Sequence, residues 1–134
     1  MVPPSSTARL RVRYSDIDAL GTYYNSRALE WFEVARLQWL RDVGRPYREI
    51  EAAGYHLPVT EAHLRFLGRA TFDDELVLST RVQREGRAAV RFQVRVTHAE
   101  TGAPVCEGYT IHAFTDAAGK PLRPPRWFLD LLGE

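Results

Sequence analysis

The sequence predicts an α+β fold in which one antiparallel sheet is built around one long helix. Apolar residues recur at helical spacing in a single long stretch, residues 26–43, and after Gly54 the period switches to two in four successive segments. The connections between those four segments are short and carry turn residues, which suits hairpins rather than helical crossovers.

Residues 1–7 are expected to form a flexible tail. Residues 8–15 alternate strictly, with Leu10, Val12 and Tyr14 on one face and Arg9, Arg11 and Arg13 on the other, as in a half-buried strand whose arginine face is solvated. A loop follows over 16–24, and Asn25 is placed to cap the next helix through its side-chain oxygen. In that helix Ala28, Leu29, Trp31, Phe32, Ala35, Trp39, Leu40 and Val43 cover a wide arc, leaving Glu30, Glu33 and Arg41 on the wet side. An arc so wide predicts a helix largely enclosed by other elements. Gly44 and Pro46 end it, and Pro46 also opens a short second helix, 47–53, closed by Gly54.

The first period-two segment, 57–67, sets Ala62, Leu64 and Phe66 against Glu61, His63 and Arg65. Residues 71–74 have turn chemistry. Residues 75–84 place Leu76, Leu78, Thr80 and Val82 on one face, and Glu85-Gly86-Arg87 makes a tight hairpin turn into residues 88–98. Another turn at 99–103 leads to a last long strand, 105–115. Residues 124–134 read as a short amphipathic helix with Pro125 near its start. There is no internal repeat, and residues 1–134 are expected to form a single domain.

Composition narrows the function classes. With 45% hydrophobic and 26% charged residues the chain has the make-up of a soluble globular protein. A formal net charge of +1 gives no global electrostatic case for nucleic acid or membrane. The cations are nearly all arginine, Lys120 being the only lysine. No apolar run approaches the roughly 20 residues of a membrane span. The first residues lack the basic-then-apolar pattern of a signal peptide. The single cysteine, Cys106, has no internal disulfide partner, which fits a cytoplasmic setting. His56, His63, His98 and His112 are scattered, and no Cys/His spacing predicts a metal site.

The chemistry concentrates in the 16–24 loop, where the carboxylate of Asp18 precedes Gly21 and then a helix start. A helix N-terminus carries unpaired N–H groups and a partial positive charge. A carboxylate delivered beside it pairs a nucleophile or base with an oxyanion site, the minimum for acyl transfer. Asp18 equally suits a plain turn residue, and Asp16 reads as a solvated turn carboxylate. Glu61 with His63 is read as a cross-strand pair, and Glu33 as a surface partner of Arg36 at i, i+3.

The series Tyr14, Asp16, Asp18, Gly21, Asn25, followed by Trp31-Phe-Glu-Val-Ala-Arg36, resembles the 4-hydroxybenzoyl-CoA thioesterase-like family of hotdog-fold acyl-CoA thioesterases. The stretch from Leu64 to Leu76 supports the resemblance, which extends over roughly residues 8 to 120. It departs from the family pattern at Thr22, where many relatives carry His, at Ala28, where an aromatic is usual, and at Arg69, where a proline is frequent. The resemblance implies a hotdog fold, a curved sheet of about five strands wrapped around the central helix. It implies hydrolysis of an acyl-CoA thioester, with Asp18 as nucleophile or general base. It also implies a homodimer or homotetramer with active sites at subunit interfaces. Backbone N–H groups near Tyr23, Tyr24 and Asn25 are then the expected oxyanion donors, and Gly21, Thr22, Tyr23, Tyr24 and Asn25 the substrate-binding segment. Coenzyme A enters as part of the substrate, with no separate cofactor and no metal. Its phosphates call for cations at the tunnel mouth, for which Arg84, Arg87, Lys120 and Arg123 are the choices. An acyl carrier protein substrate, or a binding hotdog protein without catalysis, fits the same residues.

Overall fold

The alternation after Gly54 becomes four strands of one five-stranded antiparallel sheet in the computed structural model, which describes residues 4–133. The strands are β1 (Ser6–Arg11), β2 (Val59–Phe66), β3 (Glu75–Glu85), β4 (Ala89–His98) and β5 (Pro104–Ala113), in the spatial order β1-β3-β4-β5-β2. The helices are α1 (Arg27–Asp42), α2 (Tyr47–Ala52) and α3 (Arg126–Leu131). This is the expected hotdog arrangement, a sheet curved against α1.

The inner face of the sheet and one side of α1 make the core. Ala28, Trp31, Phe32 and Ala35 of α1 are buried with Leu76, Leu78, Val94, Val96 and Cys106 in one cluster. Further along the helix Trp39 and Leu40 join Val82, Val90, Phe92 and Phe114 in a second. The α3 residue Phe128 seals that end, its ring 5.0 Å from that of Phe114. Burying side chains of this size stabilises by roughly 1.5–3 kcal/mol each. At Gly108 of β5 only glycine fits, because a Cβ there would overlap the carbonyl oxygen of His63 on the paired β2.

Several expectations change. The tail is shorter than predicted, since Ser6 and Thr7 already pair with Thr80 and Ser79 of β3, and the Pro4 carbonyl accepts from the Trp39 indole at 2.7 Å. Residues 1–3 lie outside the described residues. At the other end of β1, Tyr14 does not share the buried face of Val12. The chain turns into a short 3-10 segment, Tyr14–Asp16, and the Tyr14 ring is 75% exposed, edge-on to Phe72. The side chain of Asn25 makes no cap, because the cap position falls on Ser26, and α1 starts without a side-chain cap bond.

The enclosure of α1 is also partial. The helix packs chiefly over β1 and β3, so Leu29 and Val34 stay exposed, and β2 is open along nearly its whole length. Ala62 and Phe66 therefore alternate as predicted but stay exposed rather than entering the core, the Phe66 ring lying 6.3 Å from that of Tyr23.

Candidate active site

The Asp18 loop is a small hairpin in its own right. Tyr24 N–H donates to the Asp16 carbonyl at 2.8 Å, Asp18 N–H to the Thr22 carbonyl at 2.8 Å, and Gly21 N–H to the Asp18 carbonyl at 3.0 Å. Gly21 takes the left-handed conformation (φ 78°) that closes the turn. The returning arm leads straight into α1. The loop is docked on the segment before β3, where Tyr23 N–H and the Thr22 hydroxyl both donate to the Ala70 carbonyl and Arg69 donates to the Leu20 carbonyl at 2.7 Å. Thr22, standing where histidine is common in the family resembled, thus acts as a latch.

Asp18 itself is half-buried, and its Oδ1 accepts from Leu20 N–H at 2.8 Å. Oδ2 receives no hydrogen bond from any described residue. One oxygen is tethered by a turn and the other is available for chemistry, so the two readings of Asp18 are compatible.

Of the three N–H groups expected as oxyanion donors, only that of Asn25 is uncommitted. Those of Tyr23 and Tyr24 are already committed to Ala70 and Asp16. The amides of Asn25 and Ser26, at the start of α1, make no bond to any described residue. Tyr23 is a core residue, its hydroxyl donating to the Val105 carbonyl and its ring 4.9 Å from that of Trp31; burial pushes its phenol pKa up. Tyr24 is half exposed.

Asp16 is the largest departure. It is not solvated but fully buried. Its Oδ2 accepts from Arg13 N–H at 2.7 Å, and its Oδ1 meets the guanidinium of Arg13 at 3.0 Å and that of Arg27 at 3.6 Å. Asp16 therefore ties the strand end, the loop and the first turn of α1 together. The i, i+3 spacing of Arg13 and Asp16 was the one sequence signal for this, and the Arg27 contact had none.

Arg84, Arg87 and Arg123 line one surface pocket of about 710 Å³ between the β3–β4 turn and the segment before α3, joined by Arg126, which sequence reasoning missed. Lys120 does not line it; its backbone N–H closes a turn on Asp116. The pocket lies at the far end of β3 from the Asp18 loop, about 30 Å away at the rise of an extended strand.

A second polar group is buried between α1 and the sheet. Arg36 does not pair with Glu33 as predicted, but reaches inward and donates to the Thr110 hydroxyl at 3.4 Å. Thr110 Oγ1 lies 2.9 Å from His112 Nε2, and His112 Nδ1 lies 2.7 Å from the Leu57 carbonyl. A carbonyl only accepts, so Nδ1 carries the proton and Nε2 accepts from Thr110. Burial, with the Arg36 charge adding to it, pulls the His112 pKa down to about 4. In the unfolded chain His112 titrates near the ordinary 6.5, so below that pH the unfolded state binds the extra proton. Stability is then full above pH 6.5 and falls by about 2 kcal/mol between pH 6.5 and pH 5. Urea denaturation across that range checks this, and a His112→Gln variant with the same pH slope would contradict it.

The comparisons with known proteins agree with this fold. The family model of the thioesterase-like superfamily matches residues 12–132. A candidate esterase of Synechocystis sp. is 29% identical over 119 residues, covering 87% of this chain and 72% of that protein. A Thermus thermophilus protein of solved structure is 30% identical with a TM-score of 0.87, covering 97% of this chain and 96% of that one. The DHNA-CoA thioesterase of Staphylococcus aureus is 26% identical with a TM-score of 0.85, covering 94% and 85%. Matched in sequence from the end of β1 to the end of α3, and in fold over nearly its whole length, the chain belongs to the thioesterase-like superfamily.

Proposed function

We propose that this protein is an acyl-CoA thioesterase, hydrolysing the thioester to free acid and coenzyme A. Asp18 is the nucleophile or the general base, and the Asn25 and Ser26 amides hold the carbonyl oxygen as it becomes negative. The carrying observation is a half-tethered carboxylate on the hairpin that leads into α1, together with two amides at the helix start that make no bond to any described residue. One lost oxyanion donor typically costs roughly 100- to 1000-fold in rate, so two such amides supply much of the acceleration. The DHNA-CoA thioesterase relative supports coenzyme A as the carrier. Hydrolysis of a panel of short, long and aromatic acyl-CoAs, followed by free-thiol release and compared with an acyl carrier protein thioester, tests the reading. Acyl-CoA binding without thiol release from any member would replace it with a binding role.

The active unit in this reading is a homodimer or homotetramer. Support comes from the exposed apolar side chains of Leu29 on α1 and Phe66 on β2, and from β2 as an edge strand to whose outer side no described strand pairs. The arginine pocket serves the coenzyme A phosphates when a second copy brings it beside Asp18. Light scattering is expected to give at least twice the monomer mass, and a monomer active at the same concentration would remove this part of the proposal.

A further inference from the structure

A cavity of about 230 Å³ lies between α1, α2 and the β4–β5 part of the sheet. Leu37, Leu40, Leu57 and Phe92 form its apolar wall, and Glu33, Arg36, Tyr47 and His112 form the polar one. Arg36 is half-buried, and its only hydrogen bond to a described residue is the long one to Thr110. No carboxylate of a described residue lies within 4.0 Å of it. A desolvated guanidinium with unused donors is costly unless something pairs with them. The donor order Arg36 to Thr110 to His112 is fixed by the Leu57 carbonyl, so the guanidinium is held where it is rather than left to swing out.

The cavity is in line with the proposed reaction centre. Leu29, Glu33, Arg36 and Leu40 fall on one stripe of α1, beginning within a turn of the Asn25 and Ser26 amides. The rise from Leu29 to Arg36 is about 10 Å. We propose that Arg36 is a specificity residue that reads a hydrogen-bond-accepting oxygen at the far end of the substrate's acyl group. This rests on the thioesterase reading, with the thioester at the start of α1 and the acyl group lying along the stripe. Glu33, exposed on the same face without pairing to Arg36, offsets part of its charge. A neutral hydroxyl, able to accept from Arg36 and donate to Glu33, is therefore taken in preference to a carboxylate.

The test compares octanoyl-CoA, ω-hydroxyoctanoyl-CoA and suberoyl-CoA, equal in length and different only at the far end. The hydroxylated substrate is expected to lead octanoyl-CoA by roughly 10- to 100-fold in kcat/KM, with suberoyl-CoA between. In Arg36→Met that ratio falls to near one, and in Arg36→Lys part of it remains. Because the ratio is taken within one variant, a general loss of folded protein does not move it. A ratio near one in the parent, or one unchanged in Arg36→Met, overturns the proposal. If none of the three is hydrolysed, the thioesterase reading is the part that fails, and calorimetric binding of the three free acids decides the subsite. Tighter binding of the hydroxy acid that Arg36→Met abolishes supports it, and equal binding of all three overturns it.

Discussion

Replacing Asp18 by Asn is expected to lower hydrolysis of the best acyl-CoA by roughly 100- to 10,000-fold, the range for losing a positioned acid or base. The substitution separates the two jobs of this side chain. Asn keeps an oxygen at the Oδ1 position, so the bond from Leu20 N–H survives and the turn closed by Gly21 holds. What is lost is the charge, and with it the ability of the unbonded oxygen to attack the carbonyl or take a proton from water. The loss should fall on kcat, with little change in KM or melting temperature. Asp18→Glu restores the charge but moves it one methylene away and disturbs the Leu20 bond, so it rescues only a small part, as reactions dependent on alignment do. Free-thiol release with steady-state kinetics on the three proteins checks this. An Asp18→Asn rate within tenfold of the parent would leave Asp18 as a turn residue only.

Replacing Asp16 by Ala is expected to cost about 3 kcal/mol of stability, the low end for breaking a buried ion pair. The low end applies because Arg13 is largely exposed and can return to water. Arg27 is more confined, and the Arg13 amide loses its 2.7 Å acceptor. The consequence for activity is larger than the stability figure implies. Asp16 ties the hairpin that carries Asp18 to Arg27 in the first turn of α1, so kcat should fall by at least tenfold in protein that is still folded at low temperature. Urea denaturation and kinetics on the same samples measure both effects. A variant with parental stability and parental kcat would mean that Arg13 and Arg27 hold the loop by other contacts.

Most of the fold was legible because its elements are amphipathic with a clean period. β3 and β4 bury alternate residues, β5 is buried at consecutive positions as well, and the prediction of one long helix ending at Gly44 matches α1 to within a residue or two. Around the Asp18 loop, local signals misled. Tyr14 continues the alternation of β1, yet the chain turns at Arg13 because the Asp16 carboxylate captures the Arg13 amide. Asp16 looks like a turn residue until Arg27, a long way on in sequence, is brought over it. Glu33 and Arg36 have the spacing of a surface pair, but the open side of α1 lets Arg36 turn inward to Thr110.

The helix, the strands and the hairpins β3–β4 and β4–β5 can be read from periodicity and turn residues, and motif residues close together in the chain single out Asp18; the expected hairpin from β2 to β3 does not form, because β2 crosses to the far edge and pairs with β5. Which amides at the start of α1 make no bond to a described residue, which carboxylate is buried, and that Arg36, Thr110 and His112 form one directed chain beside a cavity emerge only from the packed fold. Each of those depends on contacts between segments distant in sequence, where burial and hydrogen-bond partners are set by packing that no local pattern encodes.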